Sequence, residues 1–454
     1  MDAIISSELT GGPHIPILPQ KVVDRIIDFL LDDQQSLCDC ALTCRAWFPR
    51  SRQNLYDGNM EILNRRRYDS LVPTTKIKHL EPLVSIRSLT LRGLRYPFFP
   101  GTDPGEPRWI HLFSLTLGEL FSGVVELTIA KWTTQNLRPS EHEVGFPCFS
   151  HIHTLRLHDC DFRSSRELER LLASFTCLGT LIIKQVDYGS GPRENDLETT
   201  WHDKGPRLCC LGVATSDAHL LDWLRRCPFT TSLRDLSLDT SVSSVWDASS
   251  RMVQALGPTL EVLRVTDSSM DFNLSAEQID LSRCSSLRTL KVTFRMSRLK
   301  QDMLRTQIPT LLERIPATSR LQTLQMVISL ESLRVSEDQQ HYDWTYWRNV
   351  DRILAKEHFC KLNTVNIRVI YDTEKDREDI ESLERQKNAL FPELSRHGKN
   401  FQMVFIFNPP ISITDATFKL KPRADGSQRW VLEPGHIPSN LGQLGVVRSI
   451  CRNM

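Results

Sequence analysis

One six-residue pattern, apolar-x-x-apolar-x-apolar, recurs about eleven times between Ile86 and Ile406, and it constrains this chain more than any other feature. The copies are Ile86-Leu89-Leu91, Val124-Leu127-Ile129, Ile152-Leu155-Leu157, Leu178-Leu181-Ile183, Leu208-Leu211-Val213 and Leu233-Leu236-Leu238. Leu260-Leu263-Val265, Leu287-Leu290-Val292, Leu321-Leu324-Met326, Leu362-Val365-Ile367 and Phe401-Val404-Ile406 follow. They are spaced 25 to 30 residues apart through the middle and 34 to 41 near the two ends. The second and third apolar positions are two apart, which puts both on one face of a strand. Threonines stand beside them (Thr90, Thr128, Thr154, Thr180, Thr289, Thr323, Thr364), where branched side chains suit the exposed side of a pleat.

Several intervals between copies have helical periodicity. Leu168, Leu171, Leu172 and Phe175 form one stripe, and Ser164 with Glu167 three residues on predicts a capping box. Ser216 or Asp217 is the expected cap of a helix carrying Leu220, Leu221 and Leu224. Met252, Val253 and Leu256 predict a helix stopped by Gly257-Pro258. Leu304, Ile308, Leu311, Leu312 and Ile315 predict another, with Pro309 expected to kink or restart it. Trp347, Val350, Ile353 and Leu354 predict a further stripe. Strand and helix alternating at this period give an α/β solenoid, with parallel strands inside and helices outside. A plain open α/β sheet is the alternative. A solenoid lengthens without one growing core, so 454 residues do not require three separate domains.

The repeat resembles leucine-rich repeats of the irregular kind with a helix in each unit. That family often has Asn or Cys three residues after the last strand apolar position, where it bonds a neighbouring backbone. Here the place holds Leu94, Trp132, Cys160, Val186, Ser216, Ser241 and Ser268, so only Cys160 matches.

Residues 16–56 have a different texture. Pro19 disfavours helix at Leu18 and suits the first helical position. Val22, Val23, Ile26, Ile27 and Leu30 form a helical apolar face, which Asp32 and Asp33 interrupt. A second helix is expected from Gln34–Leu37 onward, with Leu37, Cys40, Ala41, Cys44 and Trp47 on one face, ending before Pro49. Two short helices cannot bury such faces by themselves, and Val22, Leu31, Leu42 and Phe48 add to the surplus. The order Leu18-Pro19, Ile26-Ile27, then Cys44-Arg45-x-Trp47 resembles an F-box. The Pro49-Arg50-Ser51-Arg52 that follows resembles the members abundant in mushroom-forming fungi.

An F-box followed by leucine-rich repeats is the layout of substrate receptors of cullin-RING ubiquitin ligases. The resemblance implies a Skp-type adaptor as partner, through it a cullin-RING scaffold, and a protein substrate held by the repeats for ubiquitination. By position, Leu18, Pro19, Val23, Ile26, Ile27, Leu30, Leu37, Leu42, Cys44 and Trp47 match the family's adaptor-facing and core set. Lys21 departs from it, standing where the family usually has Glu and where the helix dipole prefers an anion. The alternatives are a helical cap for the first repeat and a repeat scaffold with no ligase role.

Outward strand positions are the expected substrate surface. They carry Arg92, Arg156, Lys184, Arg264, Lys291 and Arg368 against Glu126, Asp235 and Asp239, with no strong bias of sign. Phe405 and Phe407 are expected to form an apolar end to this surface. The net charge of +1 gives no global pull toward nucleic acid or anionic lipid, so neither is expected as a partner. No run is long enough to cross a bilayer, and MDAIISSELTGG has no basic segment before an apolar one, so a cytoplasmic or nuclear location is expected.

Twelve cysteines contain no C-x-x-C pair, and His151, His153, His158 and Cys160 are too irregularly spaced for a metal site. Gly189-Ser190-Gly191 lacks the frame of a nucleophile elbow, and no phosphate- or dinucleotide-binding fingerprint is present. A non-enzyme without cofactor or metal is expected. The basic run from Asn64 to Tyr68 reads as a solvated helix face, with nuclear import or an RNA contact as alternatives. The expected organisation is a disordered segment at 1–15, the F-box-like unit at 16–56, a helical linker at 57–83, the solenoid at 84–410 and a weakly ordered tail at 411–454. Tyr96–Arg108, Gly189–Pro206 and Ser336–Tyr346 are expected as long loops, and the tail is expected to hold one strand from Ile411 to Leu420.

Overall fold

The computed structural model describes residues 18–30, 33–55, 58–72, 86–93, 109–134, 146–188, 206–240, 242, 245–267, 279–297, 301–331, 344–371, 374–396, 399–407, 418–422 and 428–432. It opens with helices α1 (Gln20–Asp28), α2 (Gln34–Thr43) and α3 (Phe48–Leu55). Next come β1 (Gly58–Ile62), α4 (Arg65–Leu71), β2 (Ile86–Arg92), α5 (Trp109–Leu117), β3 (Glu126–Ala130) and β4 (Thr154–His158). After β5 (Asp161–Phe162) come α6 (Ser165–Ala173), β6 (Thr180–Lys184), β7 (Asp187–Tyr188), β8 (Cys210–Thr215) and α7 (Ala218–Arg226). Then follow β9 (Asp235–Thr240), α8 (Trp246–Leu256), β10 (Val262–Asp267), β11 (Thr289–Ser297), α9 (Gln301–Glu313) and β12 (Thr323–Glu331). The chain continues through α10 (Trp347–Leu354), β13 (Thr364–Tyr371), α11 (Glu374–Leu390), α12 (Pro392–Arg396) and β14 (Asn400–Phe407). Strands β15 (Phe418–Pro422) and β16 (Gln428–Leu432) come last.

Twelve strands form one sheet in the order β1-β2-β3-β4-β6-β8-β9-β10-β11-β12-β13-β14. Every pairing in it is parallel. The repeat explains the register. Leu89, Leu127, Leu155, Leu181, Leu211, Leu236, Leu263, Leu290, Leu324 and Val365 are direct partners across successive strands, with Met60 and Phe401 completing the row at its ends. A slip of one residue would turn this row to the other face, so burial of the row fixes the pairing. These side chains meet the helices' apolar stripes in one continuous core running from Met60 to Met403. The alternate strand residues lie on the opposite, open face, mostly half-buried. This is a solenoid-like repeat: each unit buries its apolar face against its neighbours.

The turn that leaves each strand is also repeated. Lys131, Asp159 and Gln185 directly follow β3, β4 and β6, and all three are left-handed, with φ of 55°, 53° and 49°. Their N–H groups donate to His158 O, Lys184 O and Ala214 O at 2.8, 2.9 and 2.8 Å, which extends the ladder one residue past each strand. Gly93 does the same after β2, donating to Ala130 O at 2.8 Å. A Cβ on Gly93 would stand 2.3 Å from Lys131 O, so this close approach needs glycine. Beyond the turn, β5 and β7 pair as a second, two-stranded parallel ladder. Cys160 Sγ contacts Ile129 O at 3.4 Å, the neighbour-to-neighbour bond expected of that repeat position. Trp132 and Val186 fill the equivalent places with buried apolar bulk.

The structure departs from the sequence reading at several points. The stretch read as a helical linker contains β1 as well as α4, and β1 is the first strand of the long sheet. At the other end, Phe401 pairs with Val365 and Met403 with Ile367. Val404 and Ile406 therefore sit on the open face, while Phe405 packs against the core. The predicted Phe401-Val404-Ile406 triplet is thus displaced, and Phe405 and Phe407 do not form an outward apolar end. Helix α9 runs through Pro309 without restarting. Ser164 is the N-cap of α6 by position, but its side chain makes no cap bond. Glu167 instead accepts hydrogen bonds from Thr134 Oγ1 and from Arg163 N, the latter at 2.9 Å, so the capping box gives way to a bond between neighbouring repeats. Asp217, not Ser216, caps α7, accepting from His219 N at 2.8 Å.

The basic run is helix α4. Asn64 caps it by accepting from Arg67 N at 2.9 Å, Arg65 pairs with Asp69 at 2.8 Å, and Tyr68 is buried against Trp109 and Phe113. In the tail, β15 and β16 form an antiparallel hairpin separate from the long sheet. Residues 1–15, the loop Tyr96–Arg108, residues 189–205 and 336–343, and the rest of the tail lie outside the described residues. No described helix is long and apolar enough to cross a membrane.

Candidate interaction surfaces

The amino-terminal unit has three helices, where the sequence reading expected two. Helix α2 stops at Thr43 because Cys44 is extended, with φ −160° and ψ 165°. Trp47 then lies in a turn, its N–H donating to Cys44 O at 3.2 Å. Pro49 falls in the first turn of α3, where its missing N–H costs nothing. Pro19 is the N-cap of α1, one residue before the first helical position, and its carbonyl accepts from Val22 N and Val23 N at 2.8 and 3.2 Å. Asp33 starts α2 by accepting from Ser36 N at 3.1 Å and Ser36 Oγ at 2.7 Å, and those bonds hold its carboxyl below the usual range.

Helix α3 is latched to the end of α1. Arg50 donates to both Asp28 oxygens, at 2.6 and 2.8 Å, and Asn54 Nδ2 donates to Asp28 Oδ1 at 2.9 Å and to Ile27 O at 3.2 Å. The hydrogen bonds from Arg50 and Asn54 lower the Asp28 pKa against a small opposing effect of burial.

The ten residues expected to meet an adaptor divide by position. Val23, Ile27 and Leu37 are buried together, with Leu30, Trp47 and Leu55 packed on them. Leu18, Pro19, Ile26, Leu42 and Cys44 are on the surface. Ile27 is therefore a core residue of the unit and not an exposed anchor, whereas Trp47 is half-buried against that core. This small core is separate from the core of the sheet. Along α1 and its C-cap, Val22, Ile26 and Phe29 are spaced four and three residues apart, which makes one exposed stripe, and Leu18 is exposed just ahead of the N-cap. Phe29 is 83% exposed and, on α2, Leu42 is 85% exposed. Val22, Phe29 and Phe48 were missing from the sequence-based set. Val22 and Phe48 were visible as surplus apolar residues, but Phe29 was hidden because it is the C-cap, just past the periodic stretch.

The second surface is the open face of the sheet. The register sorts the expected substrate residues into three rows running across the strands. Asp235 lies in the row of Glu126, Thr154, Thr180 and Thr289. Arg156, Arg264 and Lys291 lie in the next row, and Arg92, Lys184, Asp239 and Arg368 in the third. Arg264 is ion-paired with Asp235 on the adjacent strand, and Arg156 is 4.0 Å from Glu126. Arg92, Lys184 and Arg368 are exposed. His158 stands in the third row beside Lys184, and its Nε2 has no hydrogen-bond partner.

Among the described residues no group of three His, Cys, Asp or Glu is arranged to hold a metal. The eleven described cysteines are free thiols. Burial pushes the Cys284 thiol up to about 12, which makes it a packing residue and a poor nucleophile.

No family model matches the chain, and no curated protein matches it. Among solved structures, the chain is similar to one described as the crystal structure of the Rad7 and Elc1 complex in yeast. The identity is 12%, over 78% of this chain and 90% of that one, with a TM-score of 0.31. A TM-score that low does not establish a common fold.

Proposed function

We propose that this chain is a substrate receptor of the F-box type in a cullin-RING ubiquitin ligase, acting in the cytoplasm or nucleus. The α1–α3 unit docks on a Skp-type adaptor, and the open face of a leucine-rich-repeat sheet holds a client protein. The observation that carries this reading is the stripe Val22, Ile26 and Phe29, with Leu18 bare just ahead of it, on a helical unit whose own core is only a few side chains. Exposed apolar residues in such a row cost solubility unless a partner covers them. A helix laid into an apolar groove does so through anchors at this spacing. The chain itself performs no chemistry in this role. It raises the effective concentration of a client lysine near a charged ubiquitin carrier.

The test is co-precipitation of the full chain with a purified Skp-type adaptor. Ile26→Asp, on the exposed stripe, abolishes capture while leaving the sheet folded. Capture undiminished in Ile26→Asp contradicts the docking surface. Absence of capture by the wild-type chain returns the molecule to a repeat scaffold without a ligase role.

A further inference from the structure

The charges on the open face look balanced when counted along the sequence, but the register separates them. Strands β2, β3, β4 and β6 bring Arg92, Ala130, His158 and Lys184 into one row, and Arg156 lies two residues before His158 on the same strand. Among the described residues the opposing charges on these strands and their turns are Glu126, 4.0 Å from Arg156, and Asp159 after β4, with Glu61 on the adjoining β1 in the row of Arg156. A cation excess therefore stands over four adjacent strands. On the β9 and β10 side the row turns to Asp239, and Arg264 is neutralised by Asp235. Between these regions Gly212 and Ala214 of β8 contribute no charge and little bulk.

His158 reports the local field. Burial lowers its pKa, and Lys184, Arg156 and Arg92 lower it further against Asp159, so it stays neutral amid the cations. Its Nε2 is buried without a partner.

We propose that Arg92, Arg156, His158 and Lys184 form a docking patch for an extended acidic segment of a client protein, one that carries several carboxylates. This deepens the proposed function, because it takes the open face as the client surface. The number of carboxylates follows from spacing. Strands lie about 4.8 Å apart, so the row from β2 to β6 spans about 14 Å. A single phosphate meets only one or two of these groups, whereas an extended chain at about 3.3 Å per residue places alternate side chains along the whole row.

The experiment measures fluorescence anisotropy of a short labelled peptide of alternating Glu and Ser added to the full chain. Parallel arms use the Gln analogue and a peptide with one phosphoserine and no carboxylate side chains. The Glu peptide binds with an affinity that falls steeply with salt, and the Gln peptide does not bind. The double change Arg92→Gln with Lys184→Gln weakens binding roughly tenfold, the sum of two partly exposed ion pairs. Arg170→Gln, on the exposed side of helix α6 and away from the open face, leaves affinity unchanged. No binding of the Glu peptide, an equal loss in Arg170→Gln, or binding of the phosphoserine peptide alone overturns the proposal. The wild-type chain is put through adaptor co-precipitation in parallel. If the adaptor fails to bind while the Glu peptide binds, the patch stands and the ligase reading falls. If the adaptor binds and the Glu peptide does not, the patch falls alone.

Discussion

Arg50 on α3 holds both carboxylate oxygens of Asp28 at the end of α1, at 2.6 and 2.8 Å, and so closes a three-helix unit whose core is otherwise only a handful of side chains. Asn54 adds a bond to the same carboxylate at 2.9 Å. Both partners of the ion pair are about one-third exposed, so solvent screens it. Arg50→Ala is expected to destabilise the unit by about 1 kcal/mol or less. Faster hydrogen exchange across α1 and α3, with the sheet unchanged, would register this. Asp28 titrates below its ordinary 3.8 in the folded chain. Its contribution is complete above that value and is lost as pH falls through the lower folded value. The difference between wild type and Arg50→Ala therefore narrows below about pH 4.

Neighbouring isoleucines on α1 separate binding from folding. Ile27 is fully buried, whereas Ile26 is 41% exposed. Ile27→Ala removes buried volume and costs about 2–5 kcal/mol, enough to unfold so small a unit. Ile26→Ala leaves the unit's melting behaviour nearly unchanged. Circular dichroism melts and amide exchange over residues 20–55 distinguish the two. Equal destabilisation by both changes would contradict the burial pattern.

Two glycines on the sheet respond oppositely to alanine. In Gly93→Ala the new Cβ meets a backbone oxygen at 2.3 Å, which neither strand can relieve without shifting. A loss of about 1–3 kcal/mol is expected in denaturant unfolding. In Gly212→Ala the nearest atom is an Ile182 side-chain carbon at 3.5 Å, an ordinary contact. That change is expected to be neutral or stabilising, by up to about 1 kcal/mol.

The left-handed turn after β6 makes the opposite prediction for a residue that is not glycine. Gln185, with φ 49°, bears a side chain where the backbone disfavours one. Gln185→Gly relieves that strain and is expected to raise stability or leave it level, whereas Leu181→Gly, in the buried row of the same strand, lowers it by several kcal/mol. Thermal midpoints of the two variants settle the comparison.

Binding of an acidic peptide to the open face carries a pH signature. The His158 pKa is lowered from 6.5 by burial and by Lys184, Arg156 and Arg92. A carboxylate seated beside it reverses that effect, so the bound chain takes up a proton that the free chain does not. Affinity is expected to rise as pH falls from neutrality into the acidic range, and His158→Gln is expected to abolish the dependence. A flat profile in the wild type would place the peptide elsewhere.

Much of the long sheet was legible because its signal is repeated. Ten of the apolar triplets land in a common register, and each copy supports the next by burying the same row. The last copy failed for a physical reason. Phe401 to Phe407 reads FQMVFIF, apolar on both faces, so spacing alone cannot tell which alternate set is inside. Strand β1 was missed because Met60 and Ile62 are only two of the three expected apolar positions. Helix α3 was missed because Pro49 reads as a stop, although proline in a first turn is equally a start. For the candidate surfaces, the sequence supplied most of the residues but not their sides. Ile26 and Ile27 look alike in the chain, and only the packing of α2 and α3 separates them. The charge pattern of the open face was hidden for a similar reason: Arg92 and Lys184 are far apart in sequence and come into one row only through the register.

Calorimetric titration of the full chain with a purified Skp-type adaptor tests the central claim most directly, with wild type and Ile26→Asp measured side by side. The account predicts one-to-one binding by the wild type and a loss of roughly thirtyfold or more in Ile26→Asp, the scale of a buried anchor. No heat of binding from the wild type, or equal affinity in both, would contradict it.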